Sequence, residues 1–274
     1  MTNKELALKA NEVRKGILTA THAAKSGHPG GSLSAADVLT FLYFEEMNVD
    51  PEDIKNPLRD RFVLSKGHIT PGLYSVMAER GYLPKEELKT FRKVGTRLQG
   101  HPNMNDLPSI EMSTGSLGQG VSAAVGMAIS SKLFKEDYRV YALLGDGEIE
   151  EGQVWEAAMV AGNRKLDNLV FIIDNNNLQI DGTIEEVNSP YPIDKKFEAF
   201  KFHVINVDDG SDFDKLRAAF NEAKNTKGKP CAVVIKTVKG KGISFMENNV
   251  SWHGSAPNDE QYEQAMKELE AKEI

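Results

Sequence analysis

Five short apolar runs punctuate the chain, at 62–64, 140–144, 169–173, 204–207 and 232–238. In most of them hydrophobic residues follow one another without the polar alternation of a half-exposed strand, as in VYALLG and LVFIID. Continuous runs of this length predict parallel strands covered on both faces. Between and around them, apolar positions recur at helical spacing over 4–25, 35–46, 72–79, 85–92, 121–134, 152–165 and 214–224. Strand and helix alternate, which predicts an α/β fold: a doubly wound, mainly parallel sheet with helices on both faces. The segment GQGVSAAVGMAIS is small and apolar all round, so a helix buried on every side is expected there, against the sheet or a second protomer. The tail, 260–272, reads as a charged amphipathic helix capping the edge of the fold. No repeat, low-complexity tract or Pro/Ser-rich linker interrupts the chain, and 1–274 is expected to form a single domain.

A chain of 274 residues can bury a substantial core. Its 33 Lys plus Arg stand against 40 Asp plus Glu, a net charge of −7, with no basic block. Nucleic acid and anionic membrane surfaces are therefore excluded as main partners. If the substrate is a phosphate ester, local charges or a partner chain must attract it against the global field. The single cysteine, Cys231, opens the apolar run CAVVIKTV and reads as a buried structural thiol. The first residues, MTNKELALKA, lack the apolar core of a signal peptide, and no apolar stretch approaches about 18 residues. A cytoplasmic protein is expected.

Two of the apolar runs end in polar residues with a shared meaning: VYALLGDG in Asp146, and LVFIIDNNN in Asn176, thirty positions on. A carboxylate and a carboxamide at the tips of two strands of one sheet suggest a magnesium ion holding a diphosphate. Mg²⁺ takes about six hard oxygen ligands near 2.1 Å, with one or two carboxylates and the rest from phosphate, carbonyl and water. Gly145 and Gly147 flank the aspartate and let a phosphate approach the backbone closely. The helix opening at about Glu151 aims free N–H groups toward the same end of the sheet. Either tripeptide alone reads as well as a helix cap or an ordinary turn; the pairing is what favours the metal.

Four of the six histidines sit beside glycine or proline: His28 in SGHPGG, His68 in SKGHIT, His101 in QGHPN and His253 in WHGS. Such loops at strand ends are where sites collect in open α/β sheets, and four of one kind point to a shared polar pocket. His22, within the first helix, and His203, at a strand start, read as structural. The spacings do not fit zinc, and neither a nucleophile elbow nor a P-loop is present; GQG and KGKG lack the required pattern. Imidazoles beside a metal diphosphate suit hydrogen bonding to sugar hydroxyls and proton exchange near neutral pH.

These residues resemble a known family. GDGEIEEG followed by IIDNNNLQIDG resembles the thiamine diphosphate fingerprint, and SGHPGG, RDRFVLSKGH, GHPN, TGSLGQG and WHG stand in the order found in transketolases. The likeness runs from about Arg14 to Pro257; the GDG and NN pair alone would also admit 2-oxo acid dehydrogenase components and deoxyxylulose phosphate synthase, and the loop histidines favour transketolase. The resemblance implies that Asp146, the Asn176 side chain and the Leu178 carbonyl hold Mg²⁺, or another divalent cation such as Ca²⁺ or Mn²⁺. It places Gly147, Asn176 and His68 on the diphosphate, and Gly115, Ser116 and Leu117 along the cofactor, with Leu117 against its rings. His28, His101 and His253 line the substrate channel as catalytic residues, with His253 also touching cofactor. Asp174 sits beneath the thiazolium end, and Glu151 and Glu156 face the interface between subunits, with Glu151 close to the cofactor. There are departures: Glu148 where many relatives carry an uncharged residue, Lys66 in place of a common Asn, and Asn175 where Asp is frequent. Extra charge near the mouth would alter which phosphosugar binds.

A typical transketolase is more than twice this long, and its second domain supplies the carboxylate that activates the aminopyrimidine, aromatic residues around that ring and much of the substrate phosphate site. The resemblance thus implies the N-terminal half of a split transketolase, inactive alone. A C-terminal subunit on a second chain would complete it, in a two-plus-two assembly. The reaction implied is reversible transfer of a two-carbon ketol unit from a ketose phosphate to an aldose phosphate. Another thiamine enzyme, or a non-catalytic scaffold that binds the cofactor, are the alternatives.

Overall fold

The computed structural model describes residues 1–272 and gathers all five apolar runs into one sheet, ordered β1-β2-β3-β5-β4, with every neighbouring pair parallel. The strands are β1 (Arg61–Leu64), β2 (Val140–Gly145), β3 (Leu169–Asn175), β4 (His203–Val207) and β5 (Cys231–Lys236). Successive residues point to opposite faces. Tyr141, Leu143, Val170, Ile172, Val233 and Ile235 enter one core, while Ala142, Leu144, Phe171, Ile173 and Val234 enter another. With no face left to solvent, the inner strands have no position where a polar side chain is cheap, which is why their runs are continuous.

The helices, in chain order, are α1 (Asn3–Ala24), α2 (Pro29–Ser34), α3 (Ala36–Phe41), α4 (Thr70–Arg80), α5 (Gln119–Phe134), α6 (Gly152–Arg164), α7 (Ile184–Asn188), α8 (Ile193–Ala199), α9 (Phe213–Asn225) and α10 (Asp259–Glu270). The first core is closed by α1, α3, α4 and α9, the second by α5, α6 and α8. α10 lies on α1, where Tyr262 stacks on His22 at 4.2 Å and Asn11 donates to the Leu269 carbonyl at 2.9 Å. Cys231 is fully buried. No helix among the described residues is long and apolar enough to cross a membrane.

Several elements differ from expectation. The helix expected over 35–46 ends at Phe41 and continues as a π-helical turn, Leu42–Glu46; the one expected over 85–92 is 3-10 from Lys85 to Thr90. The short helices α2, α7 and α8 run only 6, 5 and 7 residues, too few turns for periodicity to announce them. The small-residue helix α5 is not buried on every side in this chain. Val121, Ala124 and Ala128 face the sheet, while Gln119 and Gly126 are exposed.

Register decides what the strand ends carry. Gly145 lies beside Asp174, Asp174 beside Ile235, and Asn175 beside Lys236. Because all strands are parallel, the loops that follow β1, β2, β3 and β5 emerge along one edge of the sheet, where open α/β sheets bind ligands.

Candidate active site

Those loops enclose a cleft of about 450 Å³. The β2 and β3 loops contribute Asp146, Gly147, Asn176 and Leu178 to its wall; β1 and β5 contribute Lys66, His68 and Lys239. Asp146 is 2% exposed, and its carboxylate accepts from Gly147 N at 2.9 Å and Asn177 N at 2.6 Å. Among the described residues no cation pairs with it. Burial first, and then the charge of Asp174, push its carboxyl up to about 7. Asn177 takes the left-handed conformation, φ 63°, in the turn that follows β3. Asn176 accepts from Leu178 N through Oδ1 at 3.1 Å, and the Leu178 carbonyl accepts from Lys239 Nζ at 2.8 Å.

These groups fit a divalent cation. A buried carboxylate without a cationic partner, an amide oxygen and a carbonyl are the hard donors that Mg²⁺ prefers. An ammonium already resting on the Leu178 carbonyl marks the spot as one that attracts positive charge. Behind the pair, Asp174 is 2% exposed and does not line the cleft. It accepts from Ser34 Oγ at 2.6 Å and Asn176 Nδ2 at 3.0 Å, and from Lys66 Nζ and Thr237 Oγ1. Burial opposes its ionisation, but the Lys66 charge and these donors outweigh that and hold its carboxyl below the usual range.

The four loop histidines meet in this cleft. Ring centroids lie 5.1 Å apart for His28 and His68, 5.5 Å for His28 and His253, and 5.4 Å for His68 and His253. His101 packs on Gly115; a Cβ there would stand 2.8 Å from the imidazole Cδ2, and φ is +146°, so glycine is required. Burial, with nearby Arg92, His101 and Lys239, lowers His28 to about 4, and burial with Lys239 lowers His253 to about 3. Burial also takes His68 well below its ordinary value, and burial with Arg92 lowers His101. The cluster is therefore neutral near pH 7. Lys239 is itself lowered to about 8 by burial and Lys66, and it still carries its proton at neutral pH. Its Nζ lies 2.8 Å from His253 Nδ1, so that nitrogen accepts and Nε2 carries the imidazole proton. His28 Nδ1 is buried without a hydrogen-bond partner among the described residues, and a ligand hydroxyl or amine would supply one.

Of the residues expected at the site, Leu117 and Gly115 line the cleft, whereas Ser116 and Glu151 are exposed and outside its wall. Glu156 is exposed on α6. His22 bonds Asp259 at 2.8 Å and His203 bonds Glu222 at 2.7 Å, both away from the cleft. Two expectations about charge need correction: Lys66 and Glu148 are each 2% exposed, so neither adds charge at an open mouth. Lys66 pairs with Asp174, and Glu148 bonds backbone amides and Ser65. Lys239 is not anticipated from the sequence, nor are Gln179 and Ile180 of the wall. A lysine just past the end of the apolar β5 run, ahead of glycine, is the available signal for the first.

A parallel sheet with a buried Asp–Asn pair at the floor of a histidine-lined cleft defines a thiamine diphosphate-binding domain of the α/β class. The family described as "Transketolase, thiamine diphosphate binding domain" matches residues 6–272, and the chain belongs to the transketolase family, transferases that use thiamine diphosphate with a divalent cation. It is 44% identical over 266 residues to a 6-deoxy-6-sulfo-D-fructose transketolase subunit of a Clostridium species, covering 97% of this chain and 96% of the relative. It is 43% identical to an apulose-4-phosphate transketolase subunit of Phocaeicola vulgatus, covering 98% and 95%. The mouse transketolase is 45% identical over 264 residues, 95% of this chain but 41% of that protein. Among solved structures, transketolase from Leishmania mexicana superposes with a TM-score of 0.93 at 34% identity, covering 98% of this chain and 41% of that one. The chain thus matches nearly the whole of the separate subunits and about two-fifths of the full-length enzymes.

Proposed function

We propose that this chain acts as one cofactor-binding domain, the diphosphate-binding subunit of a two-chain transketolase that moves a two-carbon ketol unit between anionic sugars. The observation that carries this reading is the meeting of Asp146, Asn176 and Leu178 with four loop histidines in one cleft. Asp146, Asn176 Oδ1 and the Leu178 carbonyl are the residues to hold Mg²⁺. Gly147, Asn176 and His68 would meet the diphosphate, and Gly115 and Leu117 would border the rings. When bound, thiamine diphosphate supplies the electron sink that makes a ketose carbon–carbon bond cleavable.

The chain's own contribution is orientation and proton handling. Neutral imidazoles of His28, His101 and His253 can donate or accept at sugar hydroxyls, whereas imidazoliums could only donate. Lys239 fixes His253 with its proton on Nε2, ready to donate to an oxygen that gains charge as the sugar bond breaks. Lys239 adds a positive charge to the cleft wall against the protein's overall charge of −7, while Lys66 is held by Asp174.

Relatives of this size are named as subunits, which supports a partner chain carrying the pyrimidine-activating half. We place the enzyme in the cytoplasm as a two-plus-two assembly working in carbohydrate metabolism. Two relatives are named for 6-deoxy-6-sulfo-D-fructose and apulose 4-phosphate, so the donor here is read as an anionic sugar. The test is ketol transfer from xylulose 5-phosphate to ribose 5-phosphate with Mg²⁺ and thiamine diphosphate, by the chain alone and with its co-purifying partner. Activity only in the mixture is expected. Activity of the pure chain alone overturns the split reading, and silence in both moves the assay to other donors, 6-deoxy-6-sulfo-D-fructose and apulose 4-phosphate first.

A further inference from the structure

Glu148 touches three separate parts of the cleft wall. Its Oε1 accepts from Ser65 Oγ at 2.5 Å and from Gly118 N at 3.0 Å, and its Oε2 accepts from Gly145 N at 3.1 Å. Ser65 follows β1, just ahead of Lys66 and His68. Gly145 ends β2 just ahead of Asp146. Gly118 closes the 115–117 turn and caps α5. One carboxylate therefore joins the ends of two strands to the loop that crosses above them.

The junction has little slack. A Cβ on Gly67 would lie 2.7 Å from Gly115 N, and Thr114 Oγ1 donates to the Leu64 carbonyl at 2.6 Å. Glu148 itself is 2% exposed, so water does not compete for its oxygens. Among the described residues no lysine or arginine forms an ion pair with it. A buried carboxylate that bonds two amides and a hydroxyl, and that Lys66 favours only through its charge and not through a contact pair, spends its hydrogen-bonding capacity on backbone position.

We propose that Glu148 is a positioning residue for the cofactor, setting the spacing between the turn at 146–147 and the loop at 115–118. This rests on the reading of the cleft as the thiamine diphosphate site. A carboxylate is suited to the task because it accepts at both oxygens. Glutamine in its place must turn an NH₂ group toward an N–H of Gly118 or Gly145, leaving that amide unpaired and freeing one side of the clasp.

The experiment is isothermal titration of the full chain with Mg²⁺ and thiamine diphosphate, combined with amide hydrogen exchange, on wild type, E148Q, S65A and D146N. E148Q should raise the cofactor Kd about ten-fold, as removal of a group that orients ligands does. Exchange should speed up over 114–120 and at Gly145 while the rest of the sheet stays protected. S65A, which removes one donor and leaves no amide unpaired, should shift Kd the same way by less. A wild-type Kd in E148Q overturns the proposal. So does faster exchange across the whole sheet in E148Q together with an unshifted Kd in S65A, which would make Glu148 a residue of the fold alone. If instead D146N binds cofactor as wild type does, the cleft is not the cofactor site and the parent reading fails too.

Discussion

Asn176 Nδ2 donates to Asp174 Oδ2 at 3.0 Å, which turns the amide oxygen of Asn176 away from the buried carboxylate and toward the turn that carries Leu178. Asp174 thereby acts on the cleft without lining it. It anchors Asn176 on one side and Lys66 on the other, from a position that is fully enclosed.

Removing that charge should be costly. Asp174→Asn leaves the Lys66 ammonium, itself 2% exposed, without its anion, and breaking a buried pair from one side costs about 3–5 kcal/mol. Denaturant unfolding should show this loss, and Lys66→Met added to Asp174→Asn should recover part of it. An unchanged unfolding midpoint in Asp174→Asn would mean the pair contributes nothing to stability.

Asp146→Asn should abolish Mg²⁺-dependent cofactor binding and activity in the assembled enzyme while leaving the partner bound. The side chain keeps its size and its acceptor for Gly147 N or Asn177 N, but loses the one carboxylate at the cation position. Calorimetry with cofactor and size-exclusion chromatography with the partner read the two effects apart; loss of assembly would show that Asp146 serves the fold instead.

His101→Ala and His253→Ala should each lower turnover by about 10²-fold in the assembled enzyme, the range for a group that relays protons or stabilises developing charge. Steady-state kinetics with purified subunits is the check. Full activity in both variants would remove these imidazoles from the reaction.

Stability of the ligand-free chain should carry a histidine signature at acid pH. His28 and His253 fall to about 4 and about 3 in the fold from an ordinary 6.5, so between those values the unfolded chain binds more protons than the folded one. Their contribution is complete above about 6.5 and is lost as pH falls through that window. Asp146, pushed up to about 7, works in the opposite sense, so the informative quantity is a difference between proteins. His28→Asn with His253→Asn should lose less stability than wild type between pH 6.5 and pH 4, measured by urea unfolding at each pH. Parallel curves would show that the two rings keep their ordinary titration.

The sheet is legible in the order of amino acids alone, because a strand covered on both faces must be apolar at successive positions, and runs such as VYALLG and LVFIID obey that locally. The kind of chemistry is legible too, since GDG and NNN close two of those runs and histidines sit beside glycine or proline in four loops. What stays hidden there depends on distance in space. Lys66 and Glu148 look alike in a sequence, as charges beside a motif, yet the parallel register buries both and gives each different partners. Lys239, 61 positions from Leu178, reaches its carbonyl only because β3 and β5 are neighbours. Ser116 and Glu151 belong to motifs that reach the site, yet both are exposed outside its wall. Hydrophobicity is a property each residue carries with it, whereas the charge environment of a buried group is set by what the folded chain brings beside it.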